Sequence, residues 1–172
     1  RAVMYRMQGR SVREYLQLFH HITLPVYSLS QILAHEVAFP QGFRPYAYFS
    51  DYLKNGYYPF GNEPQFDILL KQVVQNTLEI DIPQFAEISL ATSRKLKQLL
   101  AIVSQSVPFK PNMSSIATMI GAGRNNLADY LIYMEEAGLI AQLRNDTGGI
   151  RGLGKVDKVY LDNTNLIYAL GH

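Results

Sequence analysis

Arg124, Asn125 and Asn126 stand in a row directly behind the stretch "GAG" at 121–123. Their side chains end in planar hydrogen-bonding groups. An arginine fork pairs with guanine O6 and N7, and an asparagine amide pairs with adenine N6 and N7. On the first turn of a helix that chemistry suits base reading in the major groove, provided a preceding helix braces the turn. Polar residues at such a place also serve as a cap and a solvated first turn, since asparagine is a favoured cap. The three residues alone leave both uses open.

Further cations follow in the chain. Arg144, Arg151, Lys155 and Lys158 flank or lie within the glycine-rich "DTGGIRGLG", where phosphate contacts are expected. Arg94, Lys95 and Lys97 belong to an earlier helix and can add to the same face. Acid is present too, as Asp129, Glu135 and Glu136 on the same helix as Arg124.

The elements that must hold these residues can be read from residue 90 onward. "LATSRKLKQLLAIVSQS" predicts a helix with Leu96, Leu99, Leu100 and Val103 inward. "VPFKPN" breaks it. "MSSIATMIG" predicts a short serine-capped helix, and "RNNLADYLIYMEEAG" a long one with Leu127, Leu131 and Met134 inward and Gly138 at its end. "LIAQLRN" and "KVDKVYLDN" read as strands on either side of the glycine-rich tip. Three helices followed by a hairpin is the order of a winged helix. "NTNLIYALGH" opens one more helix.

Residues 1–89 read as a small helical bundle. "AVMYRM" alternates like a short strand, and Gly9 ends it. Ser11 with Glu14 is a capping box before a helix whose face is Val12, Tyr15, Leu16 and Phe19. A second periodic stretch runs from Pro25 to about Val37, with Ile32, Leu33 and Val37 inward. "YAYFSDYLKN" predicts a helix closed by Gly56 as a left-handed cap. Pro64 suits the first turn of "QFDILLKQVVQNTLEID", whose stripe is Ile68, Leu69, Val73 and Leu78, with Pro83 ending it or lying just beyond its end. The aromatics Tyr46, Tyr48, Phe49, Tyr52, Tyr57, Tyr58 and Phe60 form a seam in preference to a base-stacking platform.

Several chemistries have no footing in the sequence. No GxxxxGK[ST] phosphate loop occurs, and "GAGRNN" follows a helix where a dinucleotide loop follows a strand. His20, His21, His35 and His172 lack ligand spacing, and cysteine is absent, so neither a metal site nor a disulfide is expected. No nucleophile motif appears, so no catalytic residue is assigned. No run of about 18 apolar residues and no signal peptide is present, which fits a cytoplasmic protein with no membrane partner. The 172 residues are 48% hydrophobic and 17% charged, enough for a real core. The net charge of +2 is unevenly spread. Residues 1–89 carry seven Lys/Arg against eight Asp/Glu, and residues 90–158 carry nine against five.

"RAVMYRMQGRSVREYL", "YLKNGYYPF" and "KVYLDNTNLIYAL" together resemble the C-terminal portion of a group of predicted bacterial and archaeal AAA-type ATPases. The matching positions are Arg1 through Leu16, Tyr52 through Phe60 and Lys158 through Leu170. The resemblance implies a helical lid over 1–89, a winged helix over 90–162 and the start of a C-terminal domain over 163–172. The chain then reads as a non-catalytic fragment without cofactor. ATP and magnesium are expected in the parent's ATPase core, which becomes a partner together with a second copy of the chain. In such a lid an arginine near the junction senses nucleotide, with Arg1 and Arg10 as candidates beside Arg6 and Arg13, although plain solvation of each is the simpler expectation.

The fold expected is therefore mainly α: a small helical bundle followed by a winged helix with a short β-hairpin. Its partner is double-stranded DNA through Arg124, Asn125, Asn126, Arg144, Arg151, Lys155 and Lys158. The alternative is a winged helix that only docks a protein or packs within its own chain, since a fold does not fix a function.

Overall fold

The computed structural model describes residues 7–105, 110, 112–144 and 156–171. It is mainly helical with one small two-stranded antiparallel sheet. The chain divides into two compact units, Arg1–Phe66 and Asp67–His172. The expected strand in "AVMYRM", save Met7, and the glycine-rich tip fall outside the described residues, as do Arg1, Arg6, Arg151 and Lys155.

In the first unit, α1 (Val12–His20) starts at the expected capping box. Glu14 N–H donates to Ser11 Oγ at 3.3 Å, and Ser11 N–H donates to Glu14 Oε2 at 2.7 Å. Two orphan donors are thereby satisfied. Tyr15 and Leu16 are buried, and His21 closes the helix in the left-handed region at φ 55°. The second helix departs from expectation. α2 (Leu29–Leu33) is only five residues long and buries none of them; Ile32 is half exposed and Leu33 lies on the surface. So short a helix covers little area on any face, and Ser28 and Gln31 cap it without help from packing.

α3 (Pro45–Asp51) runs on into a π-helical turn, Tyr52–Gly56. Gly56 is therefore not a left-handed cap. It is buried against the Tyr52 ring, where an added Cβ would stand 2.8 Å from Tyr52 Cγ. Glycine is needed for close approach here, not for backbone sign. The aromatic seam is largely formed: Tyr15 meets Tyr52 edge-on at 5.6 Å and Phe43 stacks on Tyr48 at 5.3 Å. Tyr46 is the exception, 83% exposed.

Residues 9–11 lie as a strap across the end of this segment. Arg10 N–H donates to Tyr57 O at 2.9 Å, and Tyr52 Oη donates to Arg10 O at 2.7 Å. Arg10 Nη2 also donates to Tyr58 O, and its guanidinium lies 4.1 Å from the centre of the Phe19 ring. Partial burial lowers the pKa of Arg10.

In the second unit α4 (Phe66–Asn76), a π-helical turn (Thr77–Asp81) and α5 (Ile82–Ala86) form one continuous run. Its buried stripe is Phe66, Leu70, Val74, Leu78 and Ile82, whereas the expected Ile68 and Val73 are exposed. A repeat of four gains about 40° per step on an α-helix. The wider π turn winds that drift back and keeps the stripe on one side. The same turn lets Pro83 sit at the second position of α5 instead of ending the helix, which stops at Glu87 (φ 51°). Pro64 precedes α4 by two residues, with Gln65 at φ 65° between them, so it is not in the first turn.

The rest of this unit follows its pattern. α6 (Leu90–Ser104) buries Leu96, Leu99, Leu100 and Val103. α7 (Met113–Met119) is capped by Asn112, which accepts from Ser115 N–H at 3.1 Å, and not by the expected serine. α8 (Arg124–Glu136) buries Leu127, Tyr130, Leu131 and Met134. β1 (Ile140–Arg144) pairs antiparallel with β2 (Val156–Leu161), Ile140 opposite Leu161. α9 (Thr164–Leu170), capped by Asn163, buries Asn165, Leu166 and Ala169 and packs on α6 and β2. The segment 67–89, grouped with the lid-like half in the sequence reading, has its neighbours here: α5 packs on α6 and α8.

Candidate nucleic-acid interface

α7 and α8 are joined by a tight turn. Gly121 takes φ 62°, and Ala122 N–H donates to Ala117 O at 2.8 Å. A residue with a side chain would be strained at Gly121. Lys95 Nζ from α6 donates to Gly121 O at 2.5 Å, bracing the turn. α8 then begins with Gly123 as its N-cap, which has no side chain to satisfy the first amides.

One face of α8 borders a groove of about 500 Å³. Arg124, Asn125, Ala128 and Ile132 line it from α8, Asn112, Met113 and Ser114 from the start of α7, and Gln142, Arg144 and Val156 from the hairpin. At 100° per residue, positions 124, 125, 128 and 132 fall within an arc of about 100°. Asn126 is about 100° beyond Asn125 on the same wheel and does not line the groove.

The hairpin wall is pinned to α8 through Glu135. Its Oε1 accepts from Gln142 N–H at 3.0 Å, and its Oε2 accepts from Gln142 Nε2 at 2.9 Å and from Arg144 Nη2 at 2.6 Å. Gln142 Nε2 also reaches Leu131 O at 3.3 Å. Glu135 is thus a carboxylate on the groove side whose charge is met by an arginine and two amide donors. Arg124 has no ion-pair partner among the described residues.

Of the residues expected to meet DNA, the structure brings Arg124, Asn125 and Arg144 together and leaves Asn126 outside. Lys158 is opposite Leu143 in the ladder, while Gln142 is opposite Val159. Because side chains alternate across a strand, Lys158 lies on the other face of the hairpin from Gln142. Lys97 is bound to Glu79, whose pKa is lowered first by that hydrogen bond and then by one from Gln75. Lys95 is spent on the turn. Arg10, a nucleotide-sensing candidate, makes the strap contacts described above.

Sequence reasoning passed over Gln142, Glu135, Ala128 and Ile132. The last two were discoverable, since they stand four and eight residues after Arg124 and so share its side. Glu135 was read only as unwelcome acid, because its partners come from a strand whose register the sequence does not show. Among the described residues no cluster of three or more His, Asp or Glu could hold a metal ion, and no helix is long and apolar enough to cross a membrane.

A family model described as "Domain of unknown function (DUF8612)" matches residues 46–171. The chain belongs to that family. The matched stretch runs from α3 to α9 and includes every residue of the groove. α1 and α2 precede it. No curated protein and no solved structure matches the chain.

Proposed function

We propose that the second unit is a winged-helix module that binds double-stranded DNA, with α8 as the helix entering the major groove and the β1–β2 hairpin as its wing. The observation that carries this reading is the single groove in which Arg124, Asn125, Gln142 and Arg144 converge. An α-helix fits a major groove about 12 Å wide, and Arg124, Asn125 and Arg144 carry donors of the kind that base edges and phosphates accept, while Gln142 holds the hairpin wall in place. The order of three helices and a hairpin, with a tight turn braced by Lys95, supports the same geometry.

The wider setting we propose comes from the resemblance. The chain is the non-catalytic lid and winged-helix region of a cytoplasmic AAA-type ATPase, and ATP with magnesium binds the ATPase core of that protein. ATPase assays of that protein with Arg10 changed to alanine test the link, and unchanged turnover removes Arg10 as a nucleotide sensor.

Fluorescence anisotropy of labelled duplex DNA, titrated with the chain at ~50 and ~200 mM salt, tests the DNA reading. Binding that weakens steeply with salt and is lost in Arg124→Ala/Asn125→Ala supports it. A second reading, in which the groove docks a protein, is favoured by its apolar members Met113, Ala128, Ile132 and Val156. Absence of DNA binding at ~50 mM salt, with self-association or a protein complex that Ile132→Ser abolishes, selects it.

A further inference from the structure

We infer that the groove reads thymine through its 5-methyl group, with Ala128 and Ile132 making the apolar contact. This rests on the DNA reading above and deepens it by naming the base. The exposed side of α8 is not uniformly polar. Between Arg124 at one end and the Arg144–Glu135 pair at the other lie Ala128 and Ile132, and Ile132 is 42% exposed. A β-branched residue is not a strong helix former, and on a merely solvated face a lysine or glutamate would serve better.

Position fits the role. Ala128 and Ile132 rise about 6 and 12 Å beyond Arg124 along the helix axis. A helix laid in the major groove therefore carries them past base pairs beyond the one Arg124 meets, about two and three to four steps of ~3.4 Å away. Of the four bases only thymine presents a methyl group there, and alanine and other small apolar side chains are its usual contacts. Charge favours DNA as the occupant of this face. Arg124 is unpaired among the described residues, and Glu135, the carboxylate bound to the groove-lining Gln142 and Arg144, is held by Arg144 and by both nitrogens of Gln142. A protein partner would be expected to supply an acid for Arg124, and that outcome is separated by the test.

A randomised duplex library is selected with the whole chain, and the enriched site is then remade with deoxyuridine in place of thymidine. The expected result is enrichment of A·T pairs and about four-fold weaker binding for each contacted methyl removed. In Ile132→Ser, whose altered side chain is half exposed, the loss on replacing thymine by uracil shrinks to the part due to Ala128, at unchanged thermal stability. Equal binding of the two sites by the unaltered chain overturns the inference; if Arg124→Ala still weakens both, the DNA reading survives without it. A chain that enriches no DNA at ~50 mM salt removes both.

Discussion

Arg144 Nη2 and Glu135 Oε2 meet at 2.6 Å across the seam between β1 and α8. The bond joins the end of a strand to the last turn of a helix nine residues earlier. Glu135 also holds both nitrogens of Gln142, so removing either end of the pair has unequal effects. Arg144 is 45% exposed and Glu135 28% exposed on their side chains. Arg144→Ala leaves the carboxylate with two donors in a wet setting and is expected to cost under about 1 kcal/mol. Glu135→Ala strips an acceptor from three donors and is expected to cost about 1–3 kcal/mol. Urea unfolding of the two variants checks the order, and a larger loss for Arg144→Ala contradicts it.

The same pair governs ionic behaviour. If Arg144 contacts a phosphate while held by Glu135, Arg144→Ala lowers the slope of log affinity against log salt by about 1. Because the substitution also leaves the Glu135 carboxylate without its cation beside the groove, affinity is expected to fall further than for Lys158→Ala on the opposite face. Anisotropy titrations across a salt series measure both quantities.

Gly56→Ala is expected to destabilise the first unit. The added methyl would stand 2.8 Å from Tyr52 Cγ and closer still to the ring edge, inside a turn that is already buried. The Tyr52 ring must then move, and with it the hydroxyl that donates to Arg10 O. Crowding of this kind costs about 1–3 kcal/mol. Gly42→Ala meets no atom within 4 Å but sits at φ 77°, so its smaller loss isolates backbone strain from crowding. Thermal melts of the two variants separate the causes.

Acid should loosen both units through two carboxylates. The hydrogen bonds from Ser11 hold Glu14 below its ordinary value of 4.5, and the hydrogen bond from Lys97 does the same for Glu79. A pKa lowered by folding means that the unfolded chain binds protons more readily. The stabilisation is therefore complete above about pH 5 and is lost as pH falls through the lowered values. Ser11→Ala should flatten the part of this acid loss due to α1, and proton-linked melts between pH 3 and pH 6 read it out.

What the sequence made legible follows from where the cause of each feature lies. α6 and α8 were readable because apolar residues recur at helical spacing and a serine or glycine marks their starts. The capping box of α1 was readable because both of its partners are three residues apart. The two π-helical turns were not, since a turn that admits one extra residue leaves no compositional mark and shifts every later position on the wheel. Ile68 and Val73 were placed inward, where Leu70 and Val74 are, because apolar residues stand on both sides of α4 and only packing selects between them. In the groove, Arg124 and Asn125 were visible as a polar pair behind a glycine turn. The exclusion of Asn126 and the satisfaction of Glu135 depend on rotation and strand register, which are set by packing.

The strap at Arg10 fastens onto a carbonyl 48 residues along the chain. Everything from α1 to the π turn is thereby a closed loop, and α2 hangs in it without burying a side chain. The entropy of closing such a loop grows only with the logarithm of its length, about 0.6 kcal/mol per doubling. The stretch around α2, residues 28–34, can accordingly lengthen, shorten or change sequence at little thermodynamic cost while the clasp at Tyr57 and Tyr58 and the Phe43–Tyr48 stack hold. It is the part of the first unit where relatives can diverge, and where a loop graft or a reporter tag can be inserted without unpicking the rest.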